Sequence, residues 1–302
     1  CNGVRGVWGY VRGGMGGISN AIAGAAKAKG AEIRTNAEVA KVLVKDGRAI
    51  GVALKDGTEI HAAKVASGAD AHVTFLKLCD EKDLPSDFVT GVKGLDYSSA
   101  SFKINVALSE LPNFTAVPGA QAGPQHRGTI HISPTLDYIE QAFDDAKYGR
   151  PSANPILECT LPSVVDPTVA PAGQHLMSMF IQYFPYNVKG AEDSTSYDAA
   201  KEKFADRCFD ILNEYAPNFK QSVINRQVLS PRDIESRYGL TGGNIMQGTM
   251  SLSSLAFMRP LPGWAQYRTP IKNLYLCGAA THPGGGVMGA CGYNAAKEIL
   301  KD

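Results

Sequence analysis

The glycine density of one segment near the C-terminus limits what this chain can fold into more than any other feature. An apolar stretch, Leu274 to Cys277, runs into a loop with five glycines from Gly278 to Gly289, and an alanine-rich stretch follows from Ala290. Because glycine has no Cβ, backbone N–H groups in such a loop can approach a ligand closely. The pattern predicts a strand, a loop and a helix whose N-terminus offers unpaired donors to a phosphate or a ring edge. The alternative is a tight strand-to-helix turn without a ligand.

Composition excludes several classes of partner. The chain has 302 residues, a net charge of +1 and 20% charged residues, which allows one large or two medium domains. The balanced charge argues against nucleic acid or anionic lipid as a partner. No apolar run approaches the roughly 20 residues of a membrane-spanning helix, so no transmembrane segment is predicted.

The motifs resemble those of a known enzyme group. The run from Thr281 to Val287, Thr-His-Pro-Gly-Gly-Gly-Val, resembles the C-terminal flavin motif of the phytoene desaturase and amine oxidase group of FAD-dependent oxidoreductases. The opening segment, Gly3 to Gly16, is most similar to the branch named after a pyridine nucleotide-disulfide oxidoreductase domain. Further similar blocks are Gly13 to Ile33, Ala37 to Val42, the Asp-Gly turns at 46–47 and 56–57, and Ser67 to His72.

The resemblance implies FAD as cofactor and indicates which residues would hold it. In the family, the backbone at the position of Val39 holds the adenine, and the turn at Gly68-Ala69 lies near the cofactor. The side chain of Val39 also suits the core of a strand. The remaining cofactor-binding residues implied by the flavin motif are Gly278, Ala279, Gly285, Gly286, Val287 and Met288.

One part of the family pattern is missing. Members begin with a strand, a Gly-x-Gly-x-x-Gly turn and a helix that hold the ADP half of FAD. The nearest segment here, Gly14 to Ser19, ends in serine and follows a glycine-interrupted stretch, so it predicts a loop entering a helix over Ile18 to Lys29. We therefore expect the chain to be the C-terminal part of a longer protein. Its partner would be the missing N-terminal half, and alone it would bind FAD poorly.

The predicted fold class is α/β with mixed α and β elements, the C-terminal portion of a two-domain FAD-binding, Rossmann-like oxidoreductase. Residues 1–94 are predicted to be part of the FAD-binding domain, 95–258 a substrate domain with a mixed sheet, and 259–302 the return to the FAD-binding domain. The predicted strands are Ala31–Arg34, Val39–Val44, Ile50–Leu54, Glu59–His61, Lys64–Ser67, Ser98–Leu108, Thr129–Ser133, Ile156–Thr160 and His175–Phe184. The further predicted helices are Ala71–Leu78, Leu136–Lys147 and Ser196–Tyr215.

Neither the cysteines nor the histidines identify a catalytic group. The six cysteines show no Cys-x-x-Cys spacing, so we expect buried free thiols and no metal site. His282 lies in the flavin motif, where a structural or a catalytic role is open. The catalytic residues are therefore unknown.

Three functions stay open. The first is an active FAD-dependent oxidoreductase that dehydrogenates or isomerises an apolar or amine-type small molecule. The second is a flavin-binding regulatory or interaction protein with little turnover, and the third is a flavin-free fragment. A homo-oligomer is compatible with each. The expected location is the cytoplasm of a bacterium, or the mitochondrial matrix if the source is eukaryotic.

Overall fold

The computed structural model of the chain describes residues 9–302. Cys1 and the first part of the segment that indicates the family branch lie outside the described residues. The chain divides into two compact units. The sheet unit contains residues up to Ile33 and Ala100–Pro231, and the loop unit contains Arg34–Ser99 and Arg232–Asp302.

The elements follow in chain order. The strands are β1 (Val39–Lys45), β2 (Arg48–Leu54), β3 (Glu59–His61), β4 (Val65–Ser67), β5 (Ser101–Leu108), β6 (Ile130–Ile132), β7 (Ile156–Thr160), β8 (His175–Gln182), β9 (Val223–Leu229) and β10 (Leu274–Leu276). The helices are α1 (Gly16–Ala28), α2 (Ser86–Lys93), α3 (Leu136–Lys147), α4 (Pro162–Val165), α5 (Ser194–Tyr215), α6 (Phe219–Ser222), α7 (Pro231–Tyr238) and α8 (Ala290–Ile299). A π-helix at Val73–Leu78 and several 3₁₀ turns complete the described part. Within residues 9–302, no helix combines the length and the apolar character needed to cross a bilayer.

The sheet unit is built on five strands in the order β6-β7-β8-β5-β9. Every neighbouring pair is antiparallel, which corrects the prediction of a mixed sheet. The physical reason lies in the alternation along β5, where every second residue is buried and the residues between are half-buried. Antiparallel sheets tolerate one open face in this way, whereas parallel strands are covered on both faces.

The buried face of this sheet supports the core of the unit. Phe102 on β5 is fully buried, and its ring lies 4.9 Å from that of Phe204 on α5 in an edge-to-face arrangement. The Asp193 carboxylate caps α5 by accepting from the backbone N–H groups of Thr195 and Ser196. This cap starts the helix at Ser194, two residues before the predicted Ser196.

The loop unit combines a meander with a short parallel pair. Strands β1, β2 and β3 form the predicted antiparallel meander, and Asp46-Gly47 turns between β1 and β2 with positive φ at both residues. Strand β4 pairs in parallel with β10. The second long segment of this unit begins at Arg232, whereas the predicted return is at residue 259. The loop before residue 259 belongs here because Thr249 N–H donates to the Asp96 carbonyl at 3.0 Å.

Two sequence predictions need correction. Residues 31–34 form no strand, since their side chains are exposed and no described strand lies beside them. The predicted helix at Ala71–Leu78 is present, but most of it is the π-helix Val73–Leu78. Helix α2 and strand β9 were not predicted, while the mixed α/β class and the predicted elements at α3 and β7 are confirmed.

Truncating Phe102 tests the core of the sheet unit. Phe102→Ala is expected to lower the free energy of unfolding by about 3–5 kcal/mol, because the change opens a cavity among aromatic rings. Urea unfolding measures the effect. The matched control is Phe143→Ala on α3, where the ring is 47% exposed and the loss should be much smaller. Equal losses in the two variants would contradict the assigned core.

Candidate functional site

Two strand ends meet in the loop unit. Strands β4 and β10 run parallel, so their C-terminal ends lie at the same edge. Cys277 N–H donates to the Ser67 carbonyl at 2.8 Å, and the chains then cross at Gly68 and Gly278. A Cβ placed on Gly278 would lie 2.2 Å from the Gly68 carbonyl oxygen, a distance that no side chain tolerates. The crossing therefore requires glycine at position 278, and it brings together the predicted pairs Gly68-Ala69 and Gly278-Ala279.

A buried arginine ties this crossing to a second loop. Arg259 is only 2% exposed, and its Nε and Nη2 donate to the Ala279 carbonyl at 3.0 and 2.8 Å. The remaining N–H groups donate to other backbone carbonyls of the loop unit. These acceptors are Met246 at 2.5 Å, Thr249 at 3.2 Å and Ser254 at 3.3 Å. All five guanidinium donors are thus used by four carbonyls.

The charge of Arg259 has no anionic partner nearby. Among the residues the structure describes, no carboxylate lies within 4.0 Å of the guanidinium. Burial lowers the pKa of the Arg259 guanidinium, yet arginine stays protonated in proteins. With every donor occupied, Arg259 cannot bind a ligand directly. It fixes the 246–254 loop beside Ala279 and adds a positive charge there.

The three consecutive glycines of the flavin motif lie against methionine side chains. A Cβ on Gly285 would be 2.7 Å from Met246 Sδ, and one on Gly284 would be 3.0 Å from Met250 Cε. Gly286 has a φ of +146° and meets the end of Met288 in the same way. The closest of these contacts are with the flexible ends of thioether side chains, which adapt readily. The loop 284–286 is therefore a cradle without side chains of its own, and the groups that lie against it are movable.

The outer side of this cradle is exposed and apolar. Val287 is 74% exposed and Met288 57% exposed, and Met246 is also exposed. Gly289 adopts the left-handed conformation at the N-terminus of α8, which then runs to Ile299. Backbone donors and apolar side chains thus lie next to each other over four of the predicted site residues, Gly285 to Met288.

The turn after β4 is held by a buried carboxylate. Asp70 is 2% exposed and accepts hydrogen bonds from Val73 N–H at 2.9 Å and from Thr241 N–H at 3.1 Å. Thr74 Oγ1 lies 2.8 Å from Ser67 Oγ, which links the π-helix to the end of β4. These contacts position the turn at Gly68-Ala69, and the side chain of Ala69 takes no part in them.

Val39 belongs to the meander of the loop unit. It begins β1 and pairs with Leu54 on β2. The meander is joined to the segment before β10, because Ala49 N–H donates to the Lys272 carbonyl at 2.8 Å. The described hydrogen bonds do not connect Val39 itself to Gly68 or to the loop 284–286.

His282 contributes its backbone to the loop. The Tyr267 hydroxyl donates to the His282 carbonyl at 2.8 Å, and Thr281 Oγ1 donates to the Gly278 carbonyl at 2.8 Å. The His282 ring is exposed and makes no hydrogen bond within the described residues. These contacts describe a structural role for the His282 main chain, and a catalytic role of the ring stays a prediction.

The thiols of the residues that the structure describes are free, as predicted. Cys79, Cys159, Cys208 and Cys291 are buried, and Cys277 is half-buried. Burial raises the pKa of Cys79 to about 12, and it raises the pKa of Cys277 as well. Because the thiolate is the reactive form, the environments of Cys79 and Cys277 do not favour disulfide exchange at neutral pH.

Sequence reasoning missed the residues that hold the loops in place. Arg259 was noted only as part of the connection to the last segment, and Asp70 only as part of a motif. A charged residue between apolar neighbours and a proline gives little signal in a single sequence. The role of Arg259 depends on four carbonyls that come from two different loops.

Adding one methyl group at the glycine crossing tests its geometry. Gly278→Ala is expected to lower the free energy of unfolding by about 1–3 kcal/mol, because the new Cβ would overlap the Gly68 backbone. The control is Gly292→Ala in α8, where a Cβ meets nothing within 4 Å and alanine favours the helix. If urea unfolding shows equal stabilities, the described crossing is incorrect.

Removing the guanidinium tests the clamp. Arg259→Met is expected to lower the free energy of unfolding by about 3 kcal/mol or more, because four carbonyls lose their donors. The free energy of unfolding of Arg259→Lys should lie between those of the wild type and Arg259→Met, since an ammonium has three donors and no planar fork. Arg237→Met on the exposed end of α7 is the control for losing a positive charge. An Arg259→Met variant as stable as this control would show that the clamp contributes nothing.

Sequence comparison identifies relatives over nearly the whole chain. The family described as flavin containing amine oxidoreductase matches residues 2–300. Pyridine nucleotide-disulfide oxidoreductase domain-containing protein 2 from Rattus norvegicus is 47% identical over 306 residues, covering 99% of this chain and 52% of that protein. Phytoene desaturase (lycopene-forming) from Pseudescherichia vulneris is 28% identical over 287 residues, covering 94% of this chain and 54% of that protein. The chain thus spans about half the length of these relatives.

Solved structures agree with the family match at the level of the fold. An oxidoreductase from Methanosarcina mazei is similar with a TM-score of 0.61 and 20% identity, over 96% of this chain and 55% of that one. A putrescine oxidase with redesigned cofactor binding gives a TM-score of 0.55 and 15% identity, over 96% and 53%. The family resemblance inferred from the motifs is confirmed, and FAD is the cofactor that it indicates. The chain belongs to the flavin containing amine oxidoreductase family.

Proposed function

We propose that the whole protein is an FAD-dependent oxidoreductase that dehydrogenates or isomerises an apolar or amine-type small molecule. The observation that carries the proposal is the glycine cradle 284–286. Its backbone runs from the buried Gly284 to the exposed Gly286, between a buried positive charge and exposed apolar side chains. An empty turn would not need three glycines in succession, because ordering glycine costs more backbone entropy than ordering any other residue.

The residues of the loop unit fit FAD. The backbone at Gly68-Ala69 and Gly278-Ala279 would hold the cofactor near the crossing, and Gly285 to Met288 would lie along it. Val39 would contribute its main chain at the adenine end. The cavity beside Arg259 has a volume of only about 20 Å³ and accommodates no more than a water molecule. The cofactor would therefore lie on the exposed side of the cradle, where Met246 and Met288 can move aside.

When bound, FAD would accept a hydride or two electrons from the substrate. The chain's own contribution is electrostatic and steric. The Arg259 charge, fixed by five hydrogen bonds, would stabilise negative charge that develops beside Ala279. Val287, Met288 and Met246 would exclude water from the reacting region, because their side chains are apolar.

The substrate class rests on the relatives and on the surface. The curated relatives include phytoene desaturases, and a solved neighbour is a putrescine oxidase, so their printed names indicate apolar and amine-type compounds. The exposed apolar side chains around the cradle suit an apolar compound. We propose further that the loop unit binds the cofactor and the sheet unit the substrate. The cytoplasm, or the mitochondrial matrix in a eukaryote, is the proposed location.

Gly285→Ala separates flavin binding from folding. The added methyl group would meet only the movable end of Met246, so the stability of the protein should change little. It would nevertheless occupy the cradle, and we expect the affinity for FAD to be at least about tenfold weaker, a loss of about 1.4 kcal/mol or more. The whole protein, stripped of flavin and titrated with FAD, gives the measurement, and Gly292→Ala is the matched control.

The outcomes also distinguish the alternative functions. A wild-type protein that neither retains nor rebinds FAD would contradict the proposal and support a flavin-free role. If Gly285→Ala binds FAD as tightly as Gly292→Ala, the cradle is not the flavin site. Anaerobic addition of polyamines and of carotenoid precursors should reduce the bound flavin in at least one case, seen as loss of its visible absorption. Bound flavin that neither class reduces would favour the regulatory alternative.

A further inference from the structure

A lysine on the open face of the five-stranded sheet has no charged partner. Lys103 lies at the centre of β5, which runs between β8 and β9. Its Nζ donates to Ser178 Oγ on β8, a neutral acceptor. Within residues 9–302, no other hydrogen bond and no carboxylate within 4.0 Å is found for this ammonium group. Two of its three N–H donors are therefore without a protein acceptor in the described part of the chain.

The surroundings of Lys103 are apolar on both sides. In the strand register it lies opposite Phe180 on β8 and opposite Leu229 on β9. Leu229 is buried, and both Lys103 and Phe180 are half-buried. A lysine on an ordinary open sheet face extends its ammonium into water, where the charge is solvated. Here Lys103 is half-buried, so this solvation is incomplete, and burial lowers its pKa to about 8.

The other charged groups on this face are too distant to neutralise Lys103. Glu158 on β7 also lies opposite Phe180, so two strand spacings, roughly 10 Å, separate it from Lys103. Glu158 instead lies 3.8 Å from the His131 ring on β6. On the other flank, Asn105 Nδ2 donates to Gln227 Oε1 at 3.1 Å, so these amides satisfy each other. What we call the polar face consists of six residues on this side of the sheet: Glu158, Phe180, Lys103, Ser178, Asn105 and Gln227.

We propose that the polar face is a binding site for a small carboxylate with an apolar body. The carboxylate would accept hydrogen bonds from the two unused N–H donors of Lys103, and Ser178 would hold the ammonium in place. The apolar body would lie on Phe180. Charge-assisted hydrogen bonds of this type are stronger than neutral ones, and they would offset the incomplete solvation of the ammonium. The inference concerns the sheet unit alone and does not depend on flavin binding.

The pH response follows from the groups around Lys103. Lys103 carries its positive charge below about pH 8 and loses that charge above it. Carboxylate binding should therefore weaken as the pH rises through that value. The residues that face Lys103 from β8 and β9 do not titrate. The titratable groups nearby are Glu158 and His131 on the same face, and Cys159 on the buried side of β7, whose pKa burial raises to about 12.

Phenylacetate is the probe, and phenylacetamide is its uncharged counterpart. The natural protein that carries this chain should bind phenylacetate at least about tenfold more tightly than phenylacetamide at pH 7, as calorimetry or ligand-observed NMR measures. Lys103→Met should reduce phenylacetate affinity about tenfold, whereas Lys103→Arg should retain most of it. Lys203→Met, an exposed lysine on α5, is the control and should bind as the wild type does.

A second measurement keeps the test independent of folding in the variants. Amine-selective labelling of the wild type, followed by mass spectrometry, should show that Lys103 reacts with a pKa below the ordinary value for lysine and that phenylacetate protects it. Undetectable binding of phenylacetate, equal affinity for phenylacetamide, or full binding by a folded Lys103→Met variant would each overturn the proposal. Protection of Lys203 in place of Lys103 would overturn it as well.

Discussion

The loop unit depends on a single guanidinium that is surrounded by backbone. Arg259 donates all five of its N–H groups to carbonyls at Ala279, Met246, Thr249 and Ser254. A buried cation without a counter-ion is costly unless it is fully hydrogen-bonded, and this one is. The same contacts hold two irregular loops, which have few backbone hydrogen bonds of their own. The position of the flavin motif therefore depends on a residue outside that motif.

Close backbone approach is the second constraint on this region. Gly68 and Gly278 come together because neither has a side chain, and Asp70 then anchors the turn that follows β4. In the function we propose, the cradle at 284–286 would extend the same principle to a ligand. Its neighbours are thioether side chains, which can move without disturbing the backbone. A rigid crossing and a yielding surface thus lie a few residues apart, an arrangement suited to holding a flat, extended cofactor.

Local patterns in the sequence predicted the elements that depend mainly on residues close together in the chain. The meander follows from alternating residues around Asp-Gly turns, and α3 and β7 were placed at their observed bounds. The glycine loop and its resemblance to a flavin motif indicated the family. The predicted strand at residues 31–34 is absent because pairing, and not propensity, decides whether such a short segment becomes a strand. Strand β9 was missed because its polar residues obscure the alternation.

The contacts that give the candidate sites their chemistry could not be read from the sequence. Arg259 acquires its role from four carbonyls in two loops, and Lys103 acquires its character from Phe180 and Leu229 on neighbouring strands. In both cases a common surface residue type becomes partly or wholly buried through register and loop geometry. A single sequence does not encode these neighbours in any short pattern. Likewise, the two N–H donors of Lys103 that have no acceptor among the described residues can be recognised only once the strands are paired.

The most direct test of the central claim is a crystal structure of the whole protein with FAD bound. The account predicts that the backbone of Gly285 and Gly286 contacts the cofactor, with Arg259 still donating to Ala279 beneath it and the methionine side chains displaced. FAD bound at a site that leaves the loop 278–289 without contact would contradict the account, as would a structure in which the Arg259 hydrogen bonds are absent.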